Sequence, residues 1–178
     1  NKYGDLGPVY GKQWKKWDKY DHQLISDDKF PNVKSSVDQI KNLIEQIKEN
    51  PDSRRLLVNA WNPGDLDKMV LPPCHYGFQV YTRELNLDER INIHIASYAM
   101  LLTLIADEVG MVVGDLIGNL GDVHLYNNHI DQSKEMVSRI PYNLPTINIT
   151  NNDILNGEFD YEIINYESHP PIKAVLSN

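Results

Sequence analysis

A run of apolar residues from Ile95 to Val109 limits the folds open to this chain more than any other feature. Ile95, Ala96, Tyr98, Ala99, Met100, Leu101, Leu102, Leu104, Ile105 and Ala106 leave almost no polar face at helical spacing. A helix that is apolar all round must sit inside a core, with other elements wrapped over it. Gly110 stops it, since glycine most readily takes the conformation that closes a helix. The run falls short of the roughly 20 residues that a bilayer crossing needs, so it is a core helix and not a membrane span.

The covering elements are legible on both sides. Val33, Val37, Ile40, Ile44 and Ile47 recur at three and four residues, which predicts one amphipathic helix over 33–49, capped by Ser35 or Ser36 and closed at Asn50-Pro51. Leu56 to Trp61 reads as a strand ended by the turn Asn62-Pro63-Gly64-Asp65. Phe78 to Tyr81 reads as the start of a buried strand, 141–149 as loop and then strand, and Phe159 to Ile164 as a half-buried strand. Residues 1–20 combine glycines with Tyr3, Tyr10, Trp14, Trp17 and Tyr20 in an irregular loop leading to an amphipathic turn, and 21–32 form a surface connection. At 178 residues the chain suits a single domain, 1–178.

Its net charge of −8 argues against a broad phosphate-neutralising surface, so nucleic acid is not an expected partner. An anionic ligand has to meet a local cluster of positive charge. Cys74 is the only cysteine, which permits no internal disulfide and suits a reducing, cytoplasmic compartment. No signal peptide, membrane span, Walker loop or dinucleotide-binding glycine pattern is visible.

Three groups of residues carry chemistry. Leu71-Pro72-Pro73-Cys74-His75 precedes the apolar run at Phe78, and two prolines stiffen the backbone ahead of the thiol. A lone cysteine is usually inert core, but one on a stiff turn at the mouth of a strand can meet a ligand. Arg54 and Arg55 stand just before a strand, and planar guanidinium groups match a phosphate dianion through bidentate contacts. His124 and Tyr126 lie two apart and point the same way in extended backbone, a polar grip suited to a sugar hydroxyl. His129 lies nearby, but no three ligands assemble at metal spacing, and no metal is expected.

Leu71 to His75 with Phe78-Gln79 resembles the active-site signature of the thymidylate synthases. Further blocks follow in that family's order. They are Gly4 to Trp14, Asp52 to Arg55, Ala60-Trp61-Asn62, Ile95 to Ala99, Gly121 to Tyr126 and His169 to Lys173. The resemblance implies an α+β fold, with a mixed β-sheet flanked by helices and packed sheet-to-sheet in a homodimer. It implies reductive methylation of dUMP to dTMP with 5,10-methylenetetrahydrofolate as cosubstrate. In that reading Cys74 is the nucleophile that adds to the pyrimidine ring, with Tyr10 and His75 organising hydrogen bonds around it. Arg54 and Arg55 cross to the partner's site to grip phosphate, and their charge favours the thiolate there. His94, His124 and Tyr126 hold the nucleotide, and Trp14 and Ser177 lie on the folate side.

Two departures qualify the resemblance. Thr82 to Ile93 is shorter than the family pattern and lacks its Gln-Arg-Ser strand, and an amino-terminal segment is missing. We expect both segments in the complete protein, with an artificial junction near 90–91. His94 stands where the family usually has asparagine, and Leu176-Ser177-Asn178 is more polar than the usual closing tail. Those two features suit a related dUMP or dCMP hydroxymethylase, in which water replaces hydride. A third reading is a dimerising module without catalysis.

Overall fold

A computed structural model describes residues 4–20, 33–85, 88–91, 96–121 and 123–175. The elements in chain order are α1 (Tyr10–Lys15), β1 (Trp17–Tyr20), β2 (Val33–Val37) and α2 (Gln39–Glu49). Next come β3 (Leu57–Asn59), a 3-10 turn (Leu66–Lys68), β4 (Gly77–Gln79), β5 (Thr82–Leu85) and β6 (Asp88–Ile91). The chain continues through α3 (Ala96–Val109), β7 (Val112–Val113), a second 3-10 turn (Asn127–His129) and α4 (Ile130–Ser138). It finishes with β8 (Thr146–Asp153) and β9 (Glu158–Ile164).

The apolar run forms α3 as expected. Leu102, Leu104, Ile105 and Ala106 are buried, and Gly110 ends the helix at φ +71°. Ile40, Leu43, Ile44 and Ile47 of α2 pack with them, together with Leu56, Val58, Phe78, Val80 and Ile154. Each such side chain contributes about 1.5–3 kcal/mol through burial, which makes this cluster the main source of cohesion.

Four sequence expectations are corrected. The helix begins at Gln39 and not at Val33, because Val33–Val37 pairs with β1 in an antiparallel ribbon. Its cap is Asp38, whose carboxylate accepts from Lys41 N–H at 2.9 Å, and not Ser35 or Ser36. β9 is exposed along its length and not half-buried; among the described strands it pairs with β8 alone, and it is β8 that α3 packs against, through Asn152 and the Leu104 carbonyl. Finally, residues 10–20 form α1 and β1 where a loop and amphipathic turn were expected.

Helices and strands mix as the α+β expectation requires, but the described strands form four small sheets and not one continuous sheet. Three are antiparallel pairs, β1-β2, β3-β4 and β8-β9, and only β5-β6-β7 is mixed, with β6 and β7 parallel.

The β3-β4 pair sets the position of the cysteine turn. Its register places Val58 opposite Phe78 and Asn59 opposite Gly77. A Cβ at Gly77 would meet the Val58 carbonyl oxygen at 2.7 Å, so only glycine fits without moving a backbone group. Gly77→Ala is expected to cost about 1–2 kcal/mol of stability, read as a lower midpoint in urea with an unchanged slope.

Candidate active site

Tyr10, the first residue of α1, reaches across to the cysteine turn. Its phenol oxygen accepts a hydrogen bond from Cys74 N–H at 2.9 Å and a longer one from His75 N–H at 3.4 Å. Pro72 and Pro73 have no N–H, so these are the first two donors that the turn can offer. Both are thereby tied to one side chain. The Cys74 thiol is free and exposed. A fixed backbone with a protruding sulfur is the arrangement that a nucleophile requires.

Behind the turn lies a cluster of rings meeting mostly edge-on. Tyr10 is 6.0 Å from Trp14 and 5.8 Å from His75, between ring centres. His75 is 5.5 Å from Tyr98, and Trp14 is 5.6 Å from Phe78. Such geometry favours ring pairs beyond the area they bury. Tyr98 is buried, and burial first, then the nearby Tyr10 phenol, pushes its hydroxyl above the usual tyrosine value. It therefore stays protonated under all working conditions.

What holds α1 in place is a polar frame. Gln13, one turn after Tyr10, is 1% exposed, and its amide donates to Asp65 at 2.9 Å and to the Pro8 carbonyl at 2.8 Å. Asn62 donates to the same Asp65 oxygen at 3.0 Å and to the Gln13 side-chain oxygen Oε1 at 3.1 Å. Lys68 closes the other Asp65 oxygen at 2.6 Å. Burial alone raises the Asp65 carboxyl. The hydrogen bonds from Lys68 and Gln13 and the charges of Lys68 and Lys12 outweigh it and hold the group below its ordinary value of 3.8. Gln39 adds a second clamp, donating to the Gln13 and Asn59 carbonyls at 2.8 Å each.

Sequence reading passed over Gln13 and treated Asp65 as a turn residue only. Their partnership spans 52 residues, and no local pattern signals it. One clue existed. Gln13 shares a helical face with Tyr10 and Trp14, where a polar side chain must find a buried partner.

Of the residues expected at the site, Tyr10, Cys74 and His75 come together, and Trp14 packs behind them. His124 and Tyr126 form a second group, with ring centres 5.2 Å apart and planes at 85°. Arg54 and Arg55 are exposed, and neither guanidinium group bonds to another described residue. His94 and Ser177 lie outside the described residues. The proposed junction near 90–91 falls on the end of β6, where Arg90 and Ile91 pair with Arg83 and Thr82 of β5. Among the described residues no three His, Cys, Asp or Glu side chains gather as a metal site, and no helix is long and apolar enough to cross a membrane.

Replacing Tyr10 with Phe removes the shared acceptor while the exposed N–H groups turn to water. We expect a stability loss of about 1 kcal/mol in thermal unfolding.

The family model described as thymidylate synthase matches residues 1–178. Thymidylate synthase of Listeria monocytogenes serotype 4a (strain HCC23) is 43% identical over 191 residues, covering 99% of this chain and 57% of that protein. Thymidylate synthase of Listeria innocua serovar 6a (strain ATCC BAA-680 / CLIP 11262) is 42% identical over the same shares. The chain thus spans a little over half the length of these curated relatives. A rigid thiol turn clamped by Tyr10, set in a chain that one family model matches from end to end, leads to one assignment: the chain belongs to the thymidylate synthase family.

Proposed function

We propose that the full protein is a thymidylate synthase, converting dUMP to dTMP with 5,10-methylenetetrahydrofolate through a Cys74 adduct at pyrimidine C6. The observation that carries this reading is the Cys74 turn, with an exposed sulfur and both following N–H groups tied to Tyr10. C5 of a uracil ring is a weak nucleophile. Adding the Cys74 sulfur at C6 opens the 5,6 double bond and gives C5 the character of an enolate carbon. Loss of the C5 proton and departure of the sulfur then restore the double bond. When bound, the folate supplies the one-carbon unit at C5 and the hydride that reduces it.

The chain's own residues divide the remaining work. Tyr10 and His75 order the hydrogen bonds beside the sulfur. His94 reads the base edge, and His124 with Tyr126 holds the sugar. Arg54 and Arg55 grip the phosphate in the partner's site of a homodimer, a role supported by guanidinium groups without a bond to any described residue. The exposed apolar side chains Phe159, Tyr161 and Ile163 on β9 favour a covering surface of that kind. On the folate side we place Trp14 and Ser177. Trp14 Nε1 is a buried donor with no partner among the described residues, which suits contact with a polar group of the ligand. Residues 1–178 are one part of a single cytoplasmic catalytic domain.

A second reading rests on His94 and the polar Leu176-Ser177-Asn178 tail, which suit a hydroxymethylase that adds water in place of hydride. Absorbance decides between them. A synthase oxidises the folate and gains the dihydrofolate signal in step with product, whereas a hydroxymethylase forms product without that signal.

A further inference from the structure

Residues 169–175 run along α4 as a strap fastened by side chains. Arg139 donates to the Pro170 carbonyl at 2.7 Å, Gln132 to the Lys173 carbonyl at 3.4 Å, and His129 Nε2 meets the Val175 carbonyl at 2.8 Å. His169 bonds back to the Ile140 carbonyl at 2.9 Å and stacks on Tyr142. The order of contacts is antiparallel, with later strap residues meeting earlier helix residues. The lengths agree: from 129 to 139 a helix rises about 15 Å, and extended chain from 170 to 175 covers about 16 Å. The strap is therefore stretched along the helix and not looped over it.

The last of these fasteners has a second neighbour. His129 packs its ring 5.8 Å from Tyr126, and Tyr126 packs 5.2 Å from His124. A carbonyl can only accept, so the proton on His129 sits on Nε2, and that bond fixes the plane of the ring. Tyr126 meets this ring edge-on at 76°, a contact that turning the imidazole would break. One side chain thus touches both the pair that grips the sugar and the carbonyl at the end of the strap.

We propose that His129 is a positioning residue that couples nucleotide binding at His124 and Tyr126 to the ordering of residues 170–175. The proposal rests on the nucleotide reading given above. Binding that fixes Tyr126 fixes the His129 ring, and a fixed ring holds the Val175 carbonyl. By linkage, a strap that is fastened favours the bound nucleotide by the same factor.

The test uses the full-length dimer, with dUMP as probe, in wild type and in His129→Ala and His129→Gln variants. Hydrogen exchange at the amides of 172–175 is followed with and without dUMP, and the dUMP dissociation constant is measured by calorimetry. In wild type dUMP should slow exchange in the strap. In His129→Ala the slowing should vanish and the dissociation constant rise about fivefold or more. His129→Gln, which keeps an N–H donor of similar reach, should restore most of both effects. A strap that slows equally with dUMP in His129→Ala overturns the coupling, even where Cys74 still captures nucleotide. If wild type captures no nucleotide on Cys74, the parent reading fails and the coupling fails with it.

Discussion

Cys74→Ser in the full-length enzyme is expected to lower turnover by roughly 10³–10⁵-fold while leaving nucleotide affinity within about threefold. The reasoning is geometric before it is chemical. The turn is held by backbone N–H groups that bond to Tyr10, and serine presents the same two groups. The nucleotide contacts proposed for Arg54, Arg55, His124 and Tyr126 do not involve the sulfur. Only the attack on C6 should suffer, because an alcohol at neutral pH has almost no anionic form to offer. Steady-state kinetics together with calorimetry separate the two effects. A variant that turned over at the wild-type rate would exclude covalent catalysis by Cys74, and a variant that lost nucleotide binding would show that the sulfur holds the ligand.

Asp65 carries the largest structural prediction. Its carboxylate is 6% exposed and receives bonds from Gln13, Asn62 and Lys68. Asp65→Ala removes the acceptor for a buried Gln13 amide and strands the Asn62 donor. We expect a loss of about 3 kcal/mol, below the upper range for broken buried ion pairs because Lys68 still reaches water. Activity should fall as well, since Gln13 anchors the helix that aims Tyr10.

The acid dependence follows with a definite sign. The folded protein holds the Asp65 carboxyl below 3.8, its ordinary value, so in the intervening pH range the unfolded chain binds the extra proton. Stability from this group is complete above pH 3.8 and is lost as pH falls through the lower, folded value. Asp65→Asn should flatten that part of the profile. Urea midpoints measured from pH 5 downward in both proteins check the claim, and parallel profiles would contradict it.

The apolar helix, the strands at 57–59 and 77–79 and the cysteine turn were legible because each is written in local chemistry: an all-round apolar run, alternation, paired prolines. The start of α2 was not. Val37 continues the helical spacing of Ile40 and Ile44, yet its backbone pairs with Trp17, and pairing outweighs a periodicity of one extra residue. β9 alternates as a half-buried strand does, but a pattern names a face without naming what covers it. The Tyr10, Cys74 and His75 grouping was reached through family resemblance. The frame behind it, Gln13 with Asp65, depends on contacts across half a hundred residues, and no local rule reports those.

The account stands on the sulfur of Cys74 becoming bonded to the nucleotide ring. Mass spectrometry of the full-length protein, quenched during reaction with dUMP and 5,10-methylenetetrahydrofolate and then digested, reads this directly. The expected result is nucleotide mass on the peptide that holds Cys74, absent from Cys74→Ser. A protein that forms dTMP at full rate with that peptide never modified would contradict it.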